Sequence, residues 1–321
     1  MTSYIESRLA DRIDLAAAAP LPKPLAIYIE PTNLCNFHKQ CFFCAQSRED
    51  YREAAGYSQF IPMEIVHKVI QDIREMGGVK SIKIYFIGEA TLNPQLGEIA
   101  RLACSVSPDV MLTTNGTKLD EKKSQELIEA GVNLVRFSIY EETKPAVQSA
   151  ILSNVQTLKT LRDAQGKSSP RIVVKWLSHN PDFGQWVRSS YSSVADDLVF
   201  EGLKNFANAF VALSSLTPPT PDRTGPQVAC AKPFYELIVK ANGDVAPCCA
   251  AWDQTLNVGN VMQESLLDIW RGEKLARIHR LHLAGRRTEL STCSTCETLW
   301  ENTDSVDALT LEEYERRKAG A

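Results

Sequence analysis

Nine cysteines stand in the chain, and eight of them fall into two groups. The first is Cys35-Asn-Phe-His-Lys-Gln-Cys41-Phe-Phe-Cys44, spaced C-x5-C-x2-C. Three thiolates in one loop can hold three irons of a [4Fe–4S] cube. The fourth iron then has no protein ligand, and an open position is what a reactive metal site needs. Structural zinc is the alternative, with His38 in the loop as fourth ligand. The second group is Cys230, Cys248, Cys249, Cys293 and Cys296, ending in a C-x2-C pair. A zinc ribbon is the alternative there. Cys104 stands alone in a helical stretch and reads as a small core residue.

The bulk properties narrow the setting. A chain of 321 residues suits one large domain with an appendage, or two modest ones. Hydrophobic content of 44% and charged content of 23% are ordinary for a globular protein. A net charge of −4 gives no phosphate-binding surface, so no nucleic-acid partner is expected. No apolar run approaches the roughly 20 residues that cross a bilayer. The first twelve residues mix charges, and Leu15-Ala-Ala-Ala-Ala-Pro20 is too short for a signal core. A cytoplasmic location is expected, where an odd number of cysteines argues against disulfides.

The elements that must position the cysteines alternate in type. Strands are expected at Ala26–Glu30, Ser81–Ile87, Val110–Thr113, Leu134–Ile139, Arg171–Trp176 and Asp197–Glu201. Helices are expected at Met63–Met76, Pro94–Ser105, Asp120–Ala130, Lys144–Ala164 and Asp182–Ser192. Such β-then-α units imply a parallel sheet with right-handed crossovers, open or partly closed. Its chemistry belongs at the carboxyl ends of the strands. Leu216-Thr-Pro-Pro-Thr-Pro-Asp222 reads as a linker. A hairpin with an Asn242-Gly243 turn follows, then helices near 265–271 and 273–283 and a charged helical tail from Leu311. The expected division is a 1–24 extension, a 25–215 barrel, a 216–229 linker, a 230–300 cluster domain and a 301–321 tail.

Further motifs sit at the strand ends. Gly88-Glu89-Ala90-Thr91-Leu92-Asn93-Pro94 follows the second strand, and Thr113-Thr114-Asn115-Gly116 follows the third. Ser138 lies on the fourth and Lys175 on the fifth. A three-cysteine loop after the first strand, with these motifs in this order, resembles the radical S-adenosylmethionine (SAM) superfamily. The first gap is two residues longer than the common C-x3-C form. The resemblance implies a partial (β/α)6 TIM-like barrel of α/β class. It places Phe43 near the adenine of SAM and Gly88 and Glu89 at its amino group. Thr114 and Asn115 form the family's turn, Ser138 contacts the ribose or carboxylate, and Lys175 pairs with the carboxylate.

The second cysteine group lies among Asn242-Gly243-x4-Cys248, Asn257-Val-Gly-Asn-Val261 and Ser265-Leu-Leu-Asp-Ile-Trp270. This resembles the SPASM/twitch extension of the same superfamily, here a small β-hairpin plus helices Fe–S domain. The cysteine count matches the twitch form, with one auxiliary [4Fe–4S] cluster held by Cys230, Cys248, Cys293 and Cys296. The Gly-x4-Cys spacing selects Cys248, which leaves Cys249 as a buried thiol beside the site.

The resemblance implies that reductive cleavage of SAM yields a 5′-deoxyadenosyl radical, which abstracts hydrogen from the substrate. The auxiliary cluster would accept an electron, so a small polyol, aminocyclitol or sugar would be oxidised. Glu201, Tyr140 and Asp253 are the candidates for a catalytic base. Flavodoxin or ferredoxin would supply electrons. Modification of a peptide or protein side chain is the second enzymatic reading. The roughly 25 residues before the first strand are few for a leader-binding domain, which favours a small molecule. A zinc-stabilised binding protein is the non-catalytic alternative.

Overall fold

The computed structural model describes residues 13–178, 180–201, 229–301 and 305–320. Its centre is one sheet in the order β6-β5-β4-β3-β2-β1-β7-β8-β9. The strands are β1 (Ala26–Ile29), β2 (Ser81–Lys83), β3 (Val110–Thr114), β4 (Leu134–Tyr140), β5 (Arg171–Leu177), β6 (Asp197–Phe200), β7 (Glu236–Val239), β8 (Asp244–Ala246) and β9 (Gly259–Asn260). β1 to β6 pair in parallel, as the alternation of elements predicts, and the sheet is open rather than a closed barrel.

Helices α1 (Leu15–Ala18) and α2 (Tyr51–Ala55) flank β1 in sequence. The crossovers are α3 (Met63–Glu75), α4 (Leu96–Cys104), α5 (Glu121–Ala130), α6 (Pro145–Ala164) and α7 (Pro181–Tyr191). Ile65, Val66, Val69, Ile70 and Ile73 of α3 recur at helical spacing and join Ile27, Ile29, Ile82 and Ile84 in the main core. The Asp120 side chain caps α5 by accepting from the Lys123 N–H at 2.9 Å, and Gly131 ends it at φ 84°. Cys104 ends α4, partly buried against the same core.

Two features depart from the sequence reading. The ladder of β2 stops at Lys83, although Ile84–Ile87 is apolar enough to continue it. The chain bends there so that Glu89 N–H can bond Leu34 O at 2.8 Å, against the cysteine loop. The second departure is the hairpin, which is no detached unit. β7 pairs with β1 in parallel, from Ala26–Glu236 to Ile29–Val239, and carries antiparallel β8 and β9. The first and second cysteine groups therefore share one sheet.

After the hairpin come α8 (Leu266–Arg271), α9 (Glu273–Leu283), α10 (Ser291–Ser294) and α11 (Leu311–Ala319). The described segments nearest the two chain ends pack together. Leu15 and Ala19 share a core with Ala231, Phe234, Val306, Leu309 and Tyr314. Arg317 Nη1 donates to the carbonyls of Ala16, Ala17 and Ala19 at 2.8–3.0 Å. Residues 15–19 and 306–317 thus form one docked layer. The expected 216–229 linker lies outside the described residues except for Ala229. Among the described residues no helix is long and apolar enough to cross a membrane.

Candidate active site

The first cysteine loop leaves the carboxyl end of β1. Its two extra residues are absorbed by successive turns, His38 N–H to Cys35 O at 3.3 Å and Gln40 N–H to Phe37 O at 2.9 Å. Lys39 takes φ 66° to close them. Phe37, in the long gap, is buried and anchors the loop to the core. Cys44 N–H bonds Cys41 O at 2.8 Å, and Ser47 Oγ donates to the same carbonyl at 2.6 Å. Tyr140 brings its ring to 5.3 Å from Phe43 and 6.4 Å from Phe37. The loop is therefore roofed by three aromatic rings.

Burial pushes the Cys35 thiol up to about 12, helped by the nearby charges of Glu89 and Cys44. Burial also raises Cys41, beside Cys44 and Cys35, and Cys44 itself. These are protonated thiols close to one another, and a metal must displace their protons to bind. Among the described residues no three His, Cys, Asp or Glu side chains gather tightly enough to share one ion. Cys35, Cys41 and Cys44 would each hold a separate iron of a cube.

The strand-end motifs serve the loop as much as any ligand. A Cβ on Gly88 would lie 2.0 Å from Thr32 O and 2.8 Å from Leu34 O. The close approach that requires glycine is thus to the chain's own backbone. Glu89, 3% exposed, accepts at Oε1 from Thr91 N–H (3.0 Å), Thr91 Oγ1 (2.6 Å) and Thr114 Oγ1 (2.6 Å). Its Oε2 accepts from Asn115 N–H at 2.7 Å. Four donors converge on the carboxylate, so Glu89 forms a clasp between the ends of β2 and β3. Asn115 Nδ2 reaches Asn36 Oδ1 at 2.9 Å, and Asn36 Nδ2 reaches Thr117 Oγ1 at 2.7 Å. That second clasp holds the cysteine loop itself. Asn36 and Thr117 carried no signal in the sequence.

The remaining sequence candidates are distributed differently from expectation. Ser138 and Lys175 are register partners on β4 and β5, and the Ser138 hydroxyl bonds Tyr140. Lys175 Nζ is paired at 2.5 Å with Glu201 Oε2. Tyr140 touches the cysteine loop, but burial and the neighbouring cysteines hold its phenol well above 10, which suits a donor rather than a base. Asp253 is bound up in its own turn, its Oδ1 accepting from Thr255 N–H (3.1 Å) and Thr255 Oγ1 (2.7 Å). It is no free base.

The second group surrounds one recess with about 340 Å³ of atom-free space, counting the part open to solvent. Cys230, Cys248, Cys293 and Cys296 line it, together with His282 and Lys232. Cys249 is not among the lining residues; Lys232, Glu236 and Lys83 surround it electrostatically. Burial raises Cys230 and Cys293 to about 12 and Cys248 well above 9. Four soft thiols around one hollow fit a four-iron cluster.

His282 was missed by sequence reasoning. Its Nδ1 accepts from Cys230 N–H at 3.0 Å, so the other nitrogen carries the hydrogen. That Nε2–H faces Cys293 Sγ at 3.5 Å. Burial keeps the ring neutral, down to about 3. The available signal was a polar residue on the buried face of α9, with Leu275, Ile278 and His279.

Comparison with known proteins agrees with both sites. A Radical SAM superfamily model matches residues 29–174, and the SPASM iron–sulfur cluster-binding domain model matches 230–297. A tungsten-containing aldehyde ferredoxin oxidoreductase cofactor-modifying protein of Pyrococcus furiosus is 24% identical, over 77% of this chain and 81% of that one. An S-adenosyl-L-methionine-dependent 2-deoxy-scyllo-inosamine dehydrogenase of Niallia circulans is 19% identical, over 90% and 96%. The fold is shared with BtrN in complex with AdoMet and 2-DOIA, at TM-score 0.59 and 18% identity over 91% and 97% of the chains. It is also shared with anSMEcpe with bound AdoMet, at 0.61 and 15% over 92% and 95%. With both cysteine groups inside matched domains in their expected order, the chain belongs to the radical SAM superfamily and carries a SPASM iron–sulfur cluster-binding domain.

Proposed function

We propose that the chain is a radical SAM dehydrogenase that oxidises a hydroxyl of a small polyol, aminocyclitol or sugar. The observation that carries this reading is the placement of two thiol sites at opposite ends of one strand pair. The first lies beyond the carboxyl end of β1, whereas Cys248 and Cys249 return beside Glu236 at the amino end of β7. Ala26 to Glu30 spans four residues, about 13 Å at the usual strand rise. A substrate over the sheet between them would lie near both.

When bound, the first cluster supplies the electron that cleaves SAM to the hydrogen-abstracting 5′-deoxyadenosyl group, and the second offers an electron acceptor. The residues of the chain position these reactants. Cys35, Cys41 and Cys44 would hold the first cluster, and Cys230, Cys248, Cys293 and Cys296 the second. Phe43, Phe37 and Tyr140 exclude water above the first loop, while the Glu89 and Asn115 clasps fix its height. Lys175 and Glu201 place a paired charge beside Ser138, where they can orient polar groups of SAM or substrate. The named dehydrogenase relative, matched over 96% of its length, supports the reaction class. A flavodoxin or ferredoxin is the proposed electron donor.

The test uses anaerobic protein reconstituted with iron and sulfide, with SAM, a reductant and 2-deoxy-scyllo-inosamine or other cyclitols. The expected result is 5′-deoxyadenosine in step with a ketone lighter by two hydrogens, with substrate deuterium recovered in the nucleoside. A product of unchanged mass, or turnover of a serine peptide alone, would overturn the reading. Zinc in place of iron and sulfide would remove it altogether.

A further inference from the structure

We propose that His282 and Thr298 are positioning residues that set the reduction potential of the auxiliary cluster, by donating hydrogen bonds to two of the thiolates that hold it, Cys293 and Cys296. This rests on the reading of Cys230, Cys248, Cys293 and Cys296 as ligands, and deepens it with a role for two side chains that are not ligands.

His282 lies on the buried face of α9 and is 1% exposed. Its Nδ1 accepts the Cys230 N–H at 3.0 Å, a main-chain donor whose role is fixed. The hydrogen of the neutral ring is therefore on Nε2, 3.5 Å from Cys293 Sγ, a distance suited to the larger sulfur atom. One ring thus ties the main chain of one ligand to the sulfur of another. Thr298 is also buried, and its Oγ1 lies 2.8 Å from Cys296 Sγ. Either atom can donate while Cys296 is a thiol. A metal-bound thiolate has lost its proton, so the hydroxyl then becomes the donor. Cys230 Sγ accepts from the Lys232 N–H, and Arg287, which lines the same recess, donates to Cys293 O.

Four thiolates leave such a cluster net negative, and reduction adds one more charge. Hydrogen bonds to the sulfurs and a nearby cation stabilise the more negative form by the larger amount, which raises the potential. Burial strengthens each of these contacts. The first group has a different electrostatic setting. Main-chain donors meet two of its sulfurs, Phe37 N–H to Cys35 Sγ at 3.4 Å and Gln46 N–H to Cys44. The Glu89 carboxylate stands near Cys35, a charge that works in the opposite direction. The two sites are thus biased apart, the first toward giving an electron and the second toward taking one.

The experiment is a potentiometric titration followed by electron paramagnetic resonance on the anaerobically reconstituted full chain. Cys35→Ala, Cys41→Ala and Cys44→Ala together silence the first site, so that the signal reports the second. In that background His282→Leu and Thr298→Val should each shift the one-electron equilibrium at least tenfold toward the oxidised form, about 59 mV. His282→Gln again presents an acceptor and a donor, and Thr298→Ser keeps the hydroxyl; both should hold the parent potential. A purely structural role would move Tm and iron content and leave the potential of the loaded protein unchanged. The parent potential in fully loaded His282→Leu or Thr298→Val overturns the proposal. Thr298→Val decides if His282→Leu loads less iron, and loss of the cluster from both overturns it as well. If the chain lacking Cys35, Cys41 and Cys44 keeps its fold but takes up no iron and sulfide, the four-cysteine reading itself fails.

Discussion

Gly88→Ala tests whether the glycine of the strand-end motif serves the cysteine loop rather than a ligand. The added Cβ would sit 2.0 Å from Thr32 O and 2.7 Å from Thr32 C. Non-bonded atoms settle near 3.5 Å, so one backbone must retreat by about 1.5 Å. Neither side can swing away like a side chain. The retreat would break the Glu89 N–H to Leu34 O bond, one residue before Cys35. Overpacking of this kind costs about 1–3 kcal/mol, or a Tm fall of roughly 5 °C in a chain of this size. Gly131→Ala is the control. Gly131 has φ 84° but nothing within 4 Å, so its variant bears only backbone strain of about 1 kcal/mol. In Gly88→Ala, iron per chain should drop toward half and 5′-deoxyadenosine release should fall; Gly131→Ala should keep both. A Gly88→Ala protein with wild-type Tm, full iron and full SAM cleavage would refute the argument.

Other outcomes follow from the same contacts. Cys248→Ser should lose the auxiliary iron and Cys249→Ser should retain it, measured as iron and sulfide per chain; equal loss would return Cys249 to the ligand set. Glu89→Gln places an amide where four donors converge, and should lower stability by about 2–3 kcal/mol in thermal melts. Tyr314→Phe removes the hydroxyl 2.8 Å from buried His279 Nδ1, and should cost about 1–3 kcal/mol and speed amide exchange in α11 while SAM cleavage continues. Burial holds the His279 imidazole down to about 4, against an unfolded value near 6.5. Its neutral form is favoured by folding, so the stabilisation is whole above pH 6.5 and fades as pH falls toward 4, by about 3 kcal/mol. The Tm gap between wild type and His279→Gln should therefore narrow across that window; a constant gap would contradict the assignment.

Local chemistry made much of this protein readable. The strand and helix order followed from periodicity, Asp120 and Gly131 from capping rules, and the Asn242-Gly243 turn from its positive φ of 88° at Gly243. Charged candidates were harder to read. Lys175 and Glu201 are 26 positions apart, and only the pairing of β5 with the β6 end brings them together. The turn that engages Asp253 Oδ1 within two residues leaves no periodic trace.

The sequence by itself marked the two thiol groups as candidate metal sites, since thiol type and spacing are local properties that survive any packing. It also determined the order of β/α units, because a residue's periodicity is written in its immediate neighbours. Tertiary structure alone decided that β7 joins β1, that Cys248 and not Cys249 lines the recess, and that the described segments near the two chain ends pack together. The strand pairing and the packing of the end segments depend on contacts more than 200 residues apart, such as Glu30 Oε2 with Ala241 N–H at 3.1 Å. Their energies come from desolvation and hydrogen bonding in the assembled interior, which no short window of the chain contains.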